Sequence, residues 1–151
     1  MVVNADELTI EALRSVPLFG SLDDQAAIDL RELLTVEDIS AGTQLFHKGD
    51  SGDAMYLIES GRIRISITDQ DAEEVTLADL AQGDFFGEMA LVTGQRRQGD
   101  VHAISYCQLL VLSRDAFRDF LRRNPQLQEH IGGIANARIL ENKEAFSKNP
   151  V

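Results

Sequence analysis

The chain has 151 residues, 44% of them hydrophobic, with 14 Lys and Arg against 25 Asp and Glu. This length and composition are enough for one hydrophobic core, so we predict a single domain over residues 1–151. The net charge of −11 argues against direct nucleic-acid binding. No basic patch offsets this charge, since the only adjacent basic pairs are Arg96-Arg97 and Arg122-Arg123.

The sequence also indicates a compartment. The first residues lack the basic start and apolar run of a signal peptide, and no apolar stretch reaches the length of a membrane-spanning helix. We therefore expect no membrane insertion. The single cysteine, Cys107, lies in the apolar run of residues 107–112 and is predicted to be a buried, reduced thiol. These features favour a cytoplasmic protein.

Helical spacing of apolar residues predicts two helices within residues 6–34. The second is expected to begin near Ser21, and Pro17 and Gly20 separate it from the first. The apolar positions are Leu8, Ala12 and Leu13 in the first helix and Ile28, Leu30, Leu33 and Leu34 in the second.

Residues 35–113 show the pattern of short strands, rich in Val, Ile and Leu and separated by glycine and aspartate turns. This is typical of an all-β barrel or jelly roll, so the predicted fold class is mainly β with flanking helices (α+β). The clearest alternation, over residues 62–67, predicts isoleucines inside and polar residues outside. The acidic stretch Asp69–Glu74 is predicted to be a solvated turn.

Two further helices are predicted over residues 114–147. Ser113 is a candidate N-cap for the first, and the second begins around Pro125. Gly132-Gly133 interrupts the second helix, which indicates either a hinge or close packing against a neighbour. The apolar positions of these helices are Ala116, Phe117, Phe120 and Leu121, then Leu127, Ile131, Ile134, Ala135, Ile139 and Leu140.

No catalytic or metal motif is found. The three histidines, at positions 47, 102 and 130, form no H-x-H or H-E-x-x-H pair. The acidic turn lacks the glycine of a calcium-binding EF-hand loop, because that position holds Glu74. Neither a G-x-S-x-G elbow nor a P-loop occurs, so we expect no enzyme and no metal cofactor.

Residues 84–103 contain the candidate site. Gly87 opens a helical run, Glu88–Leu91, that is only one turn long. Backbone amides at such a helix start favour an anion, and glycine lets it approach closely. Arg97 can donate two parallel hydrogen bonds to a phosphate, and Glu88 can accept hydrogen bonds from sugar hydroxyls. A ribose phosphate fits this set of groups.

The strand that follows predicts where these side chains point. If the chain is extended from Arg97, that residue shares a face with Val101 and Ala103, which are apolar and mark the interior. Asp100 then points outward. An alternative interpretation pairs Arg97 with Glu88 or Asp100 in an empty, purely structural pocket.

The run Phe86-Gly87-Glu88-Met89-Ala90-Leu91, followed by Arg97-Gln98-Gly99-Asp100-Val101, resembles the phosphate-binding cassette of the cyclic nucleotide-binding domain family. That family includes the catabolite activator protein and the protein kinase A regulatory subunit. The family pattern is F-G-E-[aliphatic]-A-L and then R-[A/S/T]-A-[S/T]-V. The resemblance extends to the turn at residues 48–53, to Ser60-Gly61 and to residues 13–19, which read L-R-S-V-P-L-F.

The resemblance implies a double-stranded β-helix, or jelly-roll barrel, that binds cAMP or cGMP and moves its C-terminal helix over the base. Gln98 and Asp100 depart from the family pattern, so the choice between cAMP and cGMP stays open. The implied ligand-binding residues are Phe86, Gly87, Glu88, Met89, Ala90, Arg97, Gln98 and Gly99. Arg138, on the last predicted helix, is a further candidate contact to base or sugar, although a solvated surface arginine is the simpler interpretation.

The output of such a sensor is not evident in the sequence. Few residues follow the last apolar stripe, too few for a helix-turn-helix domain. A stand-alone regulator, a homodimer and a domain tethered to an effector are therefore all compatible with the sequence. The competing functional class is a protein-interaction or scaffold module that has kept the fold without the ligand.

Overall fold

The structure is a computed structural model and describes residues 5–91, 96–97, 99–125 and 127. The helices are α1 (Ala5–Ser15), α2 (Asp24–Glu32) and α3 (Arg114–Arg123), with 3-10 helices at Pro17–Phe19 and Glu88–Leu91. The strands are β1 (Thr35–Ile39), β2 (Gln44–Phe46), β3 (Ala54–Ser60), β4 (Ile63–Thr68), β5 (Glu74–Leu80), β6 (Phe85–Phe86), β7 (Asp100–Ala103) and β8 (Cys107–Ser113).

The strands form two four-stranded antiparallel sheets, ordered β1-β8-β3-β6 and β2-β7-β4-β5. A core of apolar side chains from both sheets lies between them, and Ile58, Phe86 and Leu109 of the first sheet meet Ile65 and Val101 of the second. This arrangement confirms the predicted jelly-roll class, and all eight described strands lie between Thr35 and Ser113.

A second core covers the other face of the first sheet. Met55 and Leu57 of β3 pack there with Leu13 of α1 and with Phe117 and Phe120 of α3, all of them at most 1% exposed. The first sheet is thus enclosed by helices on one side and by the second sheet on the other. This layering places the start of α3 close to the strands that carry the site.

The helix ends follow their capping residues. Ser113 accepts a hydrogen bond from the Ala116 amide at 3.1 Å, which confirms it as the N-cap of α3. The predicted start of the second helix near Ser21 is wrong by a few residues, because the Asp23 carboxylate caps the helix by accepting from the Ala26 amide at 2.8 Å. The buried face of α2 consists of Ala26, Ala27 and Leu30.

The predicted alternation in β4 is correct for Ile63 and Ile65, which are fully buried, and wrong for Ser66, which is also fully buried. The pairing of β4 with β5 shifts register between Ile65 and Ser66. An irregularity of this kind breaks the two-residue period, so the polar residue turns inward.

Two other predictions about single features agree with the structure. The acidic stretch forms the turn between β4 and β5, where the Asp69 carboxylate accepts from the amides of Asp71 and Glu73 at 2.9 Å. Cys107 is fully buried. Within the described ranges, no helix is long and apolar enough to span a membrane, and no three metal-ligating side chains lie together.

Candidate functional site

Arg97 is the centre of the site. Its residue is only 3% exposed, which confirms the predicted inward orientation, and Gly99, Val101 and Ala103 are buried with it. The backbone of Arg97 is hydrogen-bonded to the loop before β3 through both its amide and its carbonyl. The Arg97 amide donates to the carbonyl of Asp50, and the Gly49 amide donates to the carbonyl of Arg97, each at 2.8 Å.

The guanidinium group is held by a carbonyl and by aromatic rings. Nη2 of Arg97 donates to the carbonyl oxygen of Ala54 at 2.9 Å. Its Cζ atom lies 4.3 Å from the centre of the Phe46 ring and 5.9 Å from that of Tyr56. Among the described residues, no carboxylate forms an ion pair with Arg97, and its Nε has no hydrogen-bond partner. Within the described residues, the cation is therefore buried without an ion-pair partner.

Burial is the main electrostatic influence on this group. Removal from water lowers the pKa of the Arg97 guanidinium, and the negative charges of Asp53 and Asp50 oppose this shift. Arginine nevertheless stays protonated in proteins. Because a buried charge is costly until it is paired, the site gains free energy from an anion that reaches the guanidinium.

Two glycines make room for Arg97. Gly87 has a φ of +82°, and a Cβ atom there would collide with Nη1 of Arg97 and lie 2.9 Å from the Ala54 carbonyl oxygen. A Cβ atom on Gly52 would lie 2.9 Å from Cζ of Arg97 and 3.0 Å from Cβ of Ala90. Gly87 was a predicted site residue, whereas Gly52 was identified only as part of a turn.

The cassette contains the predicted one-turn helix, which is a 3-10 helix and therefore more tightly wound than an α-helix. Glu88–Leu91 is a single 3-10 turn, in which the Ala90 amide donates to the Gly87 carbonyl at 3.1 Å. Glu88 and Ala90 are 2% and 3% exposed, so both lie inside the site region. Phe86 precedes the turn and is fully buried opposite Tyr56 of β3.

Asp100 has a structural partner that explains its presence. Its Oδ1 accepts a hydrogen bond from the Lys48 amide at 2.7 Å and so ties β7 to the loop before β3. The exposed neighbour Arg96 reinforces this tie, because its Nη1 donates to the Gly49 carbonyl at 2.9 Å. Neither Asp100 nor Glu88 forms an ion pair with Arg97 within the described part of the chain. The alternative of an internally paired arginine is not observed.

The remaining predicted site residues are Gly99, Met89, Gln98 and Arg138. Gly99 is buried against β4, where a Cβ atom would lie 3.0 Å from the Ser66 carbonyl oxygen. The backbone of Met89 belongs to the 3-10 turn. Gln98 and Arg138 lie outside the described residues, as do the predicted second C-terminal helix beyond Leu127 and its glycine pair.

Arg114 is a site residue that the sequence did not point to. It is the first residue of α3, and its side chain reaches back to the cassette: Nε donates to the Ala90 carbonyl at 2.8 Å and Nη2 to the Gly52 carbonyl at 2.6 Å. Its backbone amide donates to the Asp53 carbonyl at 2.8 Å. The start of α3 is thus bonded directly to both segments that enclose Arg97. An arginine after an N-cap carries no sequence signal for this role.

Comparison with known proteins adds independent information. The family model described as "Cyclic nucleotide-binding domain" matches residues 36–124. A cGMP-dependent protein kinase, isozyme 1, of Drosophila melanogaster is 33% identical over 126 residues, which cover 82% of this chain and 16% of the kinase. The chain spans between about a sixth and a third of the length of the first curated relatives it matches.

Solved structures agree in fold. The N-terminal domain of a transcriptional regulator from Streptomyces coelicolor A3(2) has a TM-score of 0.78 at 27% identity, covering 90% of this chain and 95% of that domain. The regulatory domain of Toxoplasma gondii PKA, solved with cAMP, has a TM-score of 0.69 at 33% identity, covering 76% of this chain and 44% of that one. With its buried arginine, its glycine-opened 3-10 turn and the match over residues 36–124, the chain belongs to the cyclic nucleotide-binding domain family.

Proposed function

We propose that this domain binds cAMP or cGMP at Arg97 and reports its occupancy through the helices that follow β8. The observation that carries the proposal is the burial of the Arg97 guanidinium without a carboxylate partner among the described residues. A structural arginine at 3% exposure is normally paired, because desolvation of an unpaired cation is costly. The cyclic phosphate is the missing anion in this proposal.

The neighbouring groups suit the rest of a ribose phosphate. The backbone of the turn that Gly87 opens lies beside the guanidinium, so its amides are candidates for phosphate contacts. Glu88 is assigned to a ribose hydroxyl, which it would bind as a hydrogen-bond acceptor. Arg138 and Gln98 keep their predicted roles as contacts to the base, sugar or phosphate.

Two of the relatives named above differ in the nucleotide that their names or titles give. The Drosophila relative is a cGMP-dependent kinase, and the Toxoplasma domain was solved with cAMP. Both nucleotides present the same phosphate and ribose to Arg97 and Glu88. A regulatory role without catalysis, and a cytoplasmic location, remain predictions for the protein as a whole.

Calorimetric titration with cAMP, cGMP and 5′-AMP tests the proposal, in protein from which co-purified nucleotide has been removed by dialysis. We expect at least one cyclic nucleotide to bind at least about tenfold more tightly than 5′-AMP, which carries the adenine and ribose of cAMP on an open phosphate. Absence of binding by both cyclic nucleotides would contradict the proposal and favour the scaffold alternative.

We place the link from ligand to output at Arg114. Because its guanidinium bonds the carbonyls of Ala90 and Gly52, a phosphate that moves the cassette also pulls on the start of α3. Replacing Arg114 with alanine is expected to reduce, by at least half, the change in hydrogen exchange that saturating nucleotide causes in α3. Nucleotide affinity should fall by less than about tenfold, since the two lost bonds do not contact the ligand.

Arg118→Ala is the matched control for this experiment. Arg118 also lies on α3 but is exposed to solvent. The control should show the wild-type exchange response. An unchanged response in Arg114→Ala would remove Arg114 from the proposed link.

A further inference from the structure

Three aromatic rings form a continuous column beside Arg97. Phe46 of β2 meets Tyr56 of β3 edge-on, with 5.4 Å between ring centres, and Tyr56 stacks on Phe86 of β6 at 4.9 Å. We call these three residues the aromatic column. Since Phe46 belongs to one sheet and the other two rings to the second, the column bridges the sheets where the guanidinium lies.

Phe46 is the member of the column closest to the cation. Cζ of Arg97 lies 4.3 Å from its ring centre, well inside the range of about 6 Å in which a cation is attracted to a ring face. Tyr56 is further away, at 5.9 Å. Burial raises the pKa of Tyr56, so its ring stays neutral beside the cation. The Phe46 ring thus attracts the guanidinium electrostatically although the ring carries no net charge.

This choice of partner has a chemical consequence for anion binding. A carboxylate beside Arg97 would neutralise the cation and occupy its N–H groups, and a phosphate would have to displace it. An aromatic ring that lies over the flat face of the guanidinium attracts its charge without occupying its N–H groups. These N–H groups point outward in the guanidinium plane, where a ligand can accept hydrogen bonds from them. Nε of Arg97 has no hydrogen-bond partner among the described residues.

We infer that Phe46 is a positioning residue for phosphate binding, whose ring holds the Arg97 guanidinium in place while leaving its positive charge available to the ligand. This inference rests on the proposed function. It extends the site to β2, a strand to which the sequence assigned no functional residue. A purely structural role for Phe46 would require only an apolar side chain of similar size, because its neighbours include the core between the sheets.

The first test compares Phe46→Leu with Phe46→Tyr by calorimetric titration with the cyclic nucleotide that binds wild type. Leucine keeps the apolar contact and removes the ring, whereas tyrosine keeps the ring. We expect Phe46→Leu to bind roughly three- to thirtyfold more weakly than wild type. Phe46→Tyr should bind within about threefold of wild type. Phe85→Leu is the matched control, because Phe85 is a half-buried neighbour on β6 that packs against the helical core. Equal affinity in Phe46→Leu and wild type would overturn the inference.

The second test does not depend on nucleotide binding. Melting temperatures of ligand-free wild type, Phe46→Leu, Arg97→Met and the double variant form a cycle that isolates the contact between ring and cation. We expect Phe46→Leu to lower the melting temperature more when Arg97 is present than when methionine replaces it. Additive shifts would overturn the inference even if the protein binds nucleotide, whereas a coupled cycle in a protein that binds none would contradict only the proposed function.

Discussion

Replacing Arg97 with methionine is expected to weaken cyclic nucleotide binding by at least about 100-fold and to leave the ligand-free fold intact. Two hydrogen bonds from a charged donor to a phosphate contribute about 1.5–3 kcal/mol each, and each 1.4 kcal/mol corresponds to a tenfold change in affinity. The variant removes a buried cation that has no ion-pair partner in the described chain, which favours the folded state. It also leaves the Ala54 carbonyl without its donor, which opposes that gain. We therefore expect nearly the wild-type melting temperature.

Arg96→Met is the control for this prediction. Arg96 precedes the site arginine and has the same charge, but it is exposed, and among the described residues its side chain bonds the Gly49 carbonyl. Calorimetric affinities of the two variants separate a general loss of positive charge from the loss of the buried group. Comparable affinities for Arg97→Met and wild type would refute the assignment of Arg97 to the phosphate.

Replacing Gly87 with alanine is expected to abolish measurable nucleotide binding and to destabilise the fold. A residue other than glycine at a φ of +82° costs about 1–2 kcal/mol in backbone strain. In addition, the new methyl group would collide with Nη1 of Arg97 and approach the Ala54 carbonyl oxygen, so it displaces the guanidinium from the phosphate position. Chemical denaturation and calorimetry measure the two effects separately.

Gly83→Ala provides an unusually close comparison. Gly83 has a φ of +89°, but a Cβ atom there would meet nothing within 4 Å. The two variants therefore share the backbone strain and differ in the collision. Backbone strain should lower the free energy of unfolding of Gly83→Ala by a similar amount, and this variant should bind nucleotide normally. If both variants bind normally, the close approach of Gly87 to Arg97 has no functional importance.

Features that depend on neighbouring residues were predictable from the sequence. The short turn after Gly87, the cap at Ser113 and the inward orientation of Arg97 all follow from local spacing and alternation. Together with the resemblance of residues 86–91 to the family cassette, they gave the fold class and the central residues of the site. Alternation failed at Ser66 because a register shift depends on the partner strand, β5, which local patterns do not describe.

The contacts that complete the site could not be predicted, since each joins distant segments. The sequence offered Asp100 as a departure from the family pattern, and only the folded chain places the Lys48 amide against its carboxylate. Phe46 looks like an ordinary strand residue until β2 brings its ring over the guanidinium. Arg114 likewise becomes significant only when α3 begins beside the cassette.

The ties around Arg97 also bear on how the protein folds. The bonds from Arg97 to Ala54, from Arg96 to Gly49 and from Lys48 to Asp100 close loops of 43, 47 and 52 residues. Loops of this length form late, because their closure entropy is lost before their contacts are gained. A partly folded chain would therefore lack the assembled pocket. A ligand that binds only the completed pocket stabilises the native state, by about 2.7 kcal/mol when the ligand concentration is a hundred times its dissociation constant. Under the proposed function, bound cyclic nucleotide would therefore also protect the folded protein from proteolysis.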